Sequence, residues 1–157
     1  MCMTVEDAVR WLSSLCARGE HSCGELRMKM LRWGMPEGDI ESVLNVLMDR
    51  GFVDDVRFAH AYVHDKLAYY GWGRHKIDAG LSAKGIPHDI RKASLDELDD
   101  DDYLKVLSPL LERKRREYAD AEHSGSLDVL KQKLIHYALG RGFDYRIVEQ
   151  CIDELLS

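Results

Sequence analysis

The sequence predicts an all-α protein, a tandem repeat of three three-helix modules forming a curved, elongated array. Apolar residues recur at three- and four-residue intervals along nearly all of the 157 positions, as one buried face of a helix requires. Glycines at 34, 51, 85 and 142 close those runs, where helices commonly stop. Only three prolines occur, Leu, Ala, Glu, Lys and Arg are abundant, and strand-like alternation is scarce. Aligned on Gly34, Gly85 and Gly142, the chain also shows an internal repeat. The segment from Gly85 through Ile90, Leu95 and Leu98 matches that from Gly142 through Ile147, Ile152 and Leu155 without a gap, and Gly34 to Leu47 fits with one insertion. A period of this length suits a short solenoid whose units bury their apolar faces partly against neighbours.

Module one covers 1–53. Thr4 is placed to cap a helix with Val5, Ala8, Val9, Leu12, Leu15 and Cys16 on one stripe, ending near Arg18-Gly19. Ser22 with Glu25 has the form of a capping box for a short helix burying Leu26, Met30 and Leu31, stopped by Gly34. Pro36 suits the first turn of a third helix with Ile40, Val43, Leu44 and Leu47 inward and Gly51 as its stop.

Module two covers 54–98. Asp54 and Asp55 are placed to cap a long helix with Phe58, Ala61 and Tyr62 inward; Gly71-Trp72-Gly73 breaks it. A short helix follows, with Ile77, Gly80 and Leu81 inward and Arg74, Lys76 and Lys84 outward. Gly85 stops it, and Ile86-Pro87 opens a helix carrying Ile90, Ala93, Leu95 and Leu98.

Module three covers 99–157. The acidic run Asp99 to Asp102 reads as a helix cap; it lacks the glycine and distal glutamate of a calcium loop. The helix it opens carries Tyr103, Val106, Leu107, Leu110, Leu111 and Tyr118. A polar loop is expected at 122–126, then a helix with Leu127, Leu130, Leu134, Ile135 and Ala138. A last helix, capped by Asp144, carries Ile147, Cys151, Ile152 and Leu155.

The net charge of −6 argues against whole-surface attraction to nucleic acid. Lys plus Arg stand 6 against 8 acids over 1–53, 7 against 7 over 54–98 and 9 against 13 over 99–157, so any anion-binding surface is local. No apolar run is long enough to span a membrane, and the N-terminus lacks a secretory pattern, so a cytoplasmic chain is expected. In that compartment the four cysteines read as reduced thiols. Cys16, His21 and Cys23 lie close in sequence without a paired C-x2-C, and Cys2 is the nearest further cysteine, so no zinc site is expected. His60 and His64 share a helix face but lack an evident third ligand, and they read as solvated or partner-facing. There is no nucleophile elbow and no phosphate-cradling glycine loop. No catalytic residue, cofactor or metal site is expected, and the chain does not read as an enzyme.

Two basic clusters remain. Trp72, Arg74, Lys76 and Lys84, with Arg57 and Tyr70 nearby, mix aromatics and cations in the middle module. Arg113, Lys114, Arg115 and Arg116 are spread over about 300° and ring their helix. Lys114 falls on the apolar stripe, its head reaching outward, and the run also reads as a solvated helix end.

The order GFVDDVRFA followed by GRHKIDAGLSAKGI, over 51–86, resembles the RecX family of bacterial recombination regulators. The positions carrying that resemblance are Gly51, Asp54, Asp55, Phe58, Ala59, Gly73, Ile77, Leu81, Lys84, Gly85 and Ile86, most of them caps, stops and core. The resemblance implies tandem three-helix repeats. It also implies a non-catalytic protein that binds the RecA nucleoprotein filament and restrains recombinase, ATPase and co-protease activity in DNA repair and the SOS response. The expected partner surface is Arg57, Trp72, Arg74, Lys76 and Lys84, with Arg113, Arg115 and Arg116, on a monomer. Direct DNA contact is expected to be weak in a chain this acidic. The alternative is a helical regulator that acts on DNA directly, with the helix over 74–84 in the groove.

Overall fold

The computed structural model describes residues 3–121 and 126–157. Among the described residues the chain is all-helical, with nine helices and no strand. They form two compact units: one holds the residues up to Ala61 together with Leu81–Lys92, the other Tyr62–Gly80 with Ala93–Ser157.

In the first unit, α1 (Val5–Arg18) begins where expected, with the Thr4 hydroxyl accepting from the Asp7 N–H at 3.1 Å. Helix α2 (Cys23–Arg32) has the complete capping box: Ser22 Oγ accepts from Glu25 N–H at 3.1 Å, and Glu25 accepts from Ser22 N–H at 3.0 Å. Pro36 stands just outside α3 (Glu37–Asp49), its ψ of 149° still extended. Ala8, Leu12, Leu26, Met30, Ile40, Val43, Leu44, Leu47 and Val53 form the core of this unit. Leu31, expected inward, is 44% exposed, because the face of α2 turned to that core is the one carrying Leu26 and Met30, one turn apart.

Helix α4 (Asp55–Ala68) buries Phe58, Ala59, Val63 and Leu67, so its inward face is rotated from the expected Phe58, Ala61, Tyr62 stripe. The paired aspartates divide their labour. Asp54 accepts from the Arg57 N–H at 3.1 Å and caps α4 itself, whereas Asp55 accepts from the Cys23 N–H at 2.8 Å and caps α2.

Helix α5 (Arg74–Ala83) buries Ile77 and Leu81 as expected. Helix α6 (His88–Leu95) buries Ser94 and Leu95, while Ala93 is exposed and Leu98 falls beyond the helix end. At the start of α7 (Asp100–Ala121), Asp99 and Asp102 exchange backbone-to-carboxylate bonds of 2.9 and 3.0 Å, so the acidic run is a cap. Helix α8 (Leu127–Gly140) follows Ser126. Its Leu127, expected inward, is 63% exposed, since in the first turn the helix has not reached the core that Leu134 and Ala138 join. Helix α9 (Tyr145–Leu156) buries Ile147, Val148, Cys151 and Ile152, and the second unit is built on mutual packing of α7, α8 and α9. Asp144 precedes α9 but makes no side-chain cap; it pairs with His75 instead. The polar loop expected at 122–126 lies, but for Ser126, outside the described residues.

Two close approaches position the middle of the chain. In the first unit the start of α2 meets the end of α5: buried Ser22 donates its hydroxyl to the Lys84 carbonyl at 2.6 Å, and Lys84 Nζ reaches Glu25 at 3.1 Å. A Cβ on Gly24 would lie 2.8 Å from Gly85 Cα, so only two glycines allow this approach. In the second unit the start of α5 meets the end of α8. Gly73 N–H donates to Arg141 O at 2.8 Å and His75 N–H to Gly142 O at 2.9 Å. Gly142, at φ +94°, has Lys76 N where a Cβ would stand, 2.5 Å away.

Candidate partner interface

The backbone pairing of 73–75 with 141–142 holds Trp72 just ahead of α5. Arg141 strengthens the hold by donating from Nε to the Gly71 carbonyl at 2.9 Å and from Nη2 to the Tyr70 carbonyl. Trp72 is half-buried, meeting the Tyr62 ring edge-on at 6.4 Å and the Tyr70 ring at 6.0 Å. Lys66 Nζ sits over all three rings, 4.0 Å from Tyr70, 4.9 Å from Trp72 and 5.2 Å from Tyr62, while Lys76 approaches Trp72 at 4.8 Å. Each such contact is worth roughly 0.5–1 kcal/mol at an exposed site. The cluster presents aromatic edges and two ammonium groups together, a surface fitted to anionic groups.

The sequence points to Trp72 and Lys76 but less plainly to Lys66, in the last turn of α4. The signal was present: Tyr62, Lys66 and Tyr70 recur at intervals of four, which stacks an aromatic, a cation and an aromatic at one end of a helix.

The other expected contact residues are more engaged than their sequence positions suggested. Arg74 is half-buried and pairs with Asp96 at 3.3 Å. Arg57 pairs with Glu20 at 2.9 Å and donates to the Gly51 carbonyl, and Lys84 pairs with Glu25. On α7, Arg115 takes both oxygens of Glu112, Arg116 reaches the same carboxylate at 3.3 Å, and Lys114 pairs with Glu117. Hydrogen bonding from Arg115 holds the half-buried Glu112 carboxyl below its ordinary range. Arg113 is exposed and points elsewhere, onto a groove with Lys105. Trp72, Arg74 and Lys76 thus share the start of α5, and the arginines of α7 divide between a carboxylate clamp and that groove.

The thiols are not poised for chemistry. Burial, then the Asp55 carboxylate, pushes the Cys23 thiol up to about 12. Burial also raises Cys16 and Cys151. Among the described residues, Cys16, His21 and Cys23 do not bring three ligand atoms within 4.8 Å of one another, and Cys2 lies outside those residues. His64 meets Glu97 at 3.1 Å. Among the described residues, no helix is long and apolar enough to cross a membrane.

Residues 54–95 match the family model described as the second three-helix domain of RecX. Over 138 residues the chain is 32% identical to the regulatory protein RecX of Prosthecochloris aestuarii, spanning 88% of this chain and 86% of that one. It is 31% identical to the Clostridium perfringens protein of the same name over 133 residues, 85% of this chain but 61% of that longer relative. The crystal structure of RecX from Lactobacillus salivarius shares the fold at a TM-score of 0.88, covering 96% of each chain at 22% identity. On the strength of its likeness to the Prosthecochloris protein along nearly the full length of both, the chain belongs to the RecX family of regulatory proteins.

Proposed function

We propose that this chain binds the RecA nucleoprotein filament and restrains its recombinase, ATPase and co-protease activities, as a cytoplasmic monomer that regulates without catalysing. The observation that carries the reading, beside family membership, is the cluster in which Lys66 and Lys76 flank Trp72 among tyrosines. In a chain of net charge −6 it concentrates cations and aromatic surface at one place. Arg57, Trp72, Arg74, Lys76 and Lys84, with Arg113, Arg115 and Arg116, supply the contacts. Several of these side chains already hold a carboxylate of the chain itself, so each new contact is weak, and binding becomes firm only where many contacts are made at once. That condition favours an assembled filament over bare DNA, which an acidic protein approaches against long-range repulsion.

Co-sedimentation with RecA on single-stranded DNA, set beside DNA alone, tests the reading. The chain should pellet with the filament and stay soluble with DNA alone. Lys76→Glu combined with Trp72→Ala should weaken filament binding by about tenfold or more, as loss of an interface anchor does. Absence of binding to both filament and free RecA overturns the assignment. Binding to bare duplex with a steep salt dependence replaces it with direct action on DNA.

A further inference from the structure

In the second unit, the end of α4 and the middle of α7 border an open groove of about 510 Å³. Tyr69, Tyr70, Lys105, Pro109, Arg113 and Arg141 surround it, Val106 and Leu110 supply its apolar floor, and among the described residues no carboxylate lines it. We infer that this groove docks an acidic, extended segment of a partner protein, with an apolar side chain set between two carboxylates. This inference goes beyond the regulatory reading and stands without it.

Charge is the first reason. The other cations of the basic run on α7 are held by Glu112 and Glu117, but Lys105 and Arg113 have no ion-pair or hydrogen-bond partner among the described residues. Both face the groove. Arg141 spends Nε and one Nη on the carbonyls of Tyr70 and Gly71 and keeps further N–H groups to give. Two cations without a partner among the described residues and a part-free guanidinium around one depression call for anionic groups.

Spacing is the second. Lys105, Pro109 and Arg113 follow each other at intervals of four on α7, so the two cations lie on one face about 12 Å apart. An extended peptide advances about 3.3 Å per residue, which sets carboxylates four residues apart at about 13 Å. In such a strand the first, third and fifth side chains point to the same side. The third, between the two acids, then meets Val106 and Leu110.

The apolar floor is the third, and it favours peptide over nucleic acid. Val106 and Leu110 lie between the two cations, which suits a chain that can alternate acidic and apolar side chains. A phosphodiester backbone carries a charge at every unit. The exposed rims, Tyr69 at 82% and Tyr70 at 54%, give the strand an amphipathic edge to lie against.

The experiment uses the full chain and a labelled probe peptide with leucine at its centre and glutamate two positions to either side. Fluorescence anisotropy should show saturable binding, with the glutamine version of the peptide binding about tenfold weaker or worse. Lys105→Glu with Arg113→Glu should weaken the glutamate peptide by a similar factor while leaving the melting temperature of the protein unchanged, since both side chains are exposed. On the unaltered protein, amide chemical shifts should move at 69–71 and 105–113 during titration, which locates the site even if the double variant does not fold. The inference is overturned if glutamate and glutamine peptides bind alike, if the folded double variant binds as the parent does, or if the shifts lie elsewhere. It is equally overturned if a labelled oligothymidylate binds this groove and displaces the peptide.

Discussion

The start of α2 and the start of α5 each receive the end of a later helix, one in the first unit and one in the second, yet they are fastened by different chemistry. At α2 the fastening is made by side chains: the Ser22 hydroxyl to the Lys84 carbonyl, Lys84 to Glu25, and Asp55 to the Cys23 N–H. At α5 it is made by backbone, through the Gly73 and His75 amides, with Arg141 clasping two carbonyls from behind. What the two share is steric: at each, a glycine in the left-handed region, Gly85 or Gly142, presses against the entering helix. A repeat can therefore conserve the shape of a contact while exchanging every bond in it. Gly34, the corresponding stop of the first module, has open space where the other two have a neighbour.

The largest expected effect comes from Gly142→Ala. The left-handed backbone costs an alanine about 1–2 kcal/mol, and crowding Lys76 adds about 1–3 kcal/mol, so chemical denaturation should show a loss of roughly 2–5 kcal/mol. A loss no larger than that of Gly34→Ala would mean the approach at α5 is loose, and the comparison would fail.

Gly24→Ala isolates crowding alone, since Gly24 is helical and its new methyl would meet the Lys84 carbonyl oxygen at 2.5 Å. The expected loss is about 1–3 kcal/mol, read from the same denaturation curves; a gain in stability would show that α2 and α5 separate at no cost.

Next comes Ser22→Ala, which removes the cap of α2 and leaves the Lys84 carbonyl without its donor. About 1–2 kcal/mol should be lost. Because the α5 joint uses no such hydroxyl, the variant should speed amide hydrogen exchange at the start of α2 and leave the amides of Gly73 and His75 protected. Equal acceleration at both would contradict the separate fastening described above.

Gly34→Ala should cost only the backbone term, about 1–2 kcal/mol. Smallest is a pH effect. Burial would raise the Glu25 carboxyl, but the Ser22 N–H and Lys84 outweigh it and hold it below its ordinary value. A depressed carboxyl stabilises the fold above its unfolded pKa, and that share is lost as pH falls through the folded value. Acid titration of thermal stability should therefore show a step below the ordinary carboxylate range that Glu25→Gln reduces. An unchanged step assigns it to another acid.

Local signals were the legible ones. Thr4, the Ser22 and Glu25 box, the Asp99 to Asp102 cap and the glycine stops are written within four residues of what they control, and they define where helices begin and end. Asp55 was misread as a cap for its own helix because its partner, Cys23, is 32 residues away. Leu31 and Leu127 fit a helical period but not a buried face, since periodicity gives a stripe and only the neighbouring helices decide which edge of it is covered. Basic residues were readable as cations, but whether each was already paired depended on Asp96, Glu112, Glu20 and Glu25 coming near. The groove over Pro109 had no sequence signal beyond a proline within a helix.

The Ser22 hydroxyl faces two ways in time as well as in space. Its oxygen accepts from Glu25 within the same turn, a bond that a short nascent chain can make; its proton goes to Lys84, 62 residues later. A ribosome delivering the chain from its N-terminus thus exposes α1 to α3 before Leu81–Lys92 arrive to complete the same compact unit. Until then the Ser22 proton must go to water, and the burial of that end of α2 waits on synthesis having passed well into the sequence of the second unit.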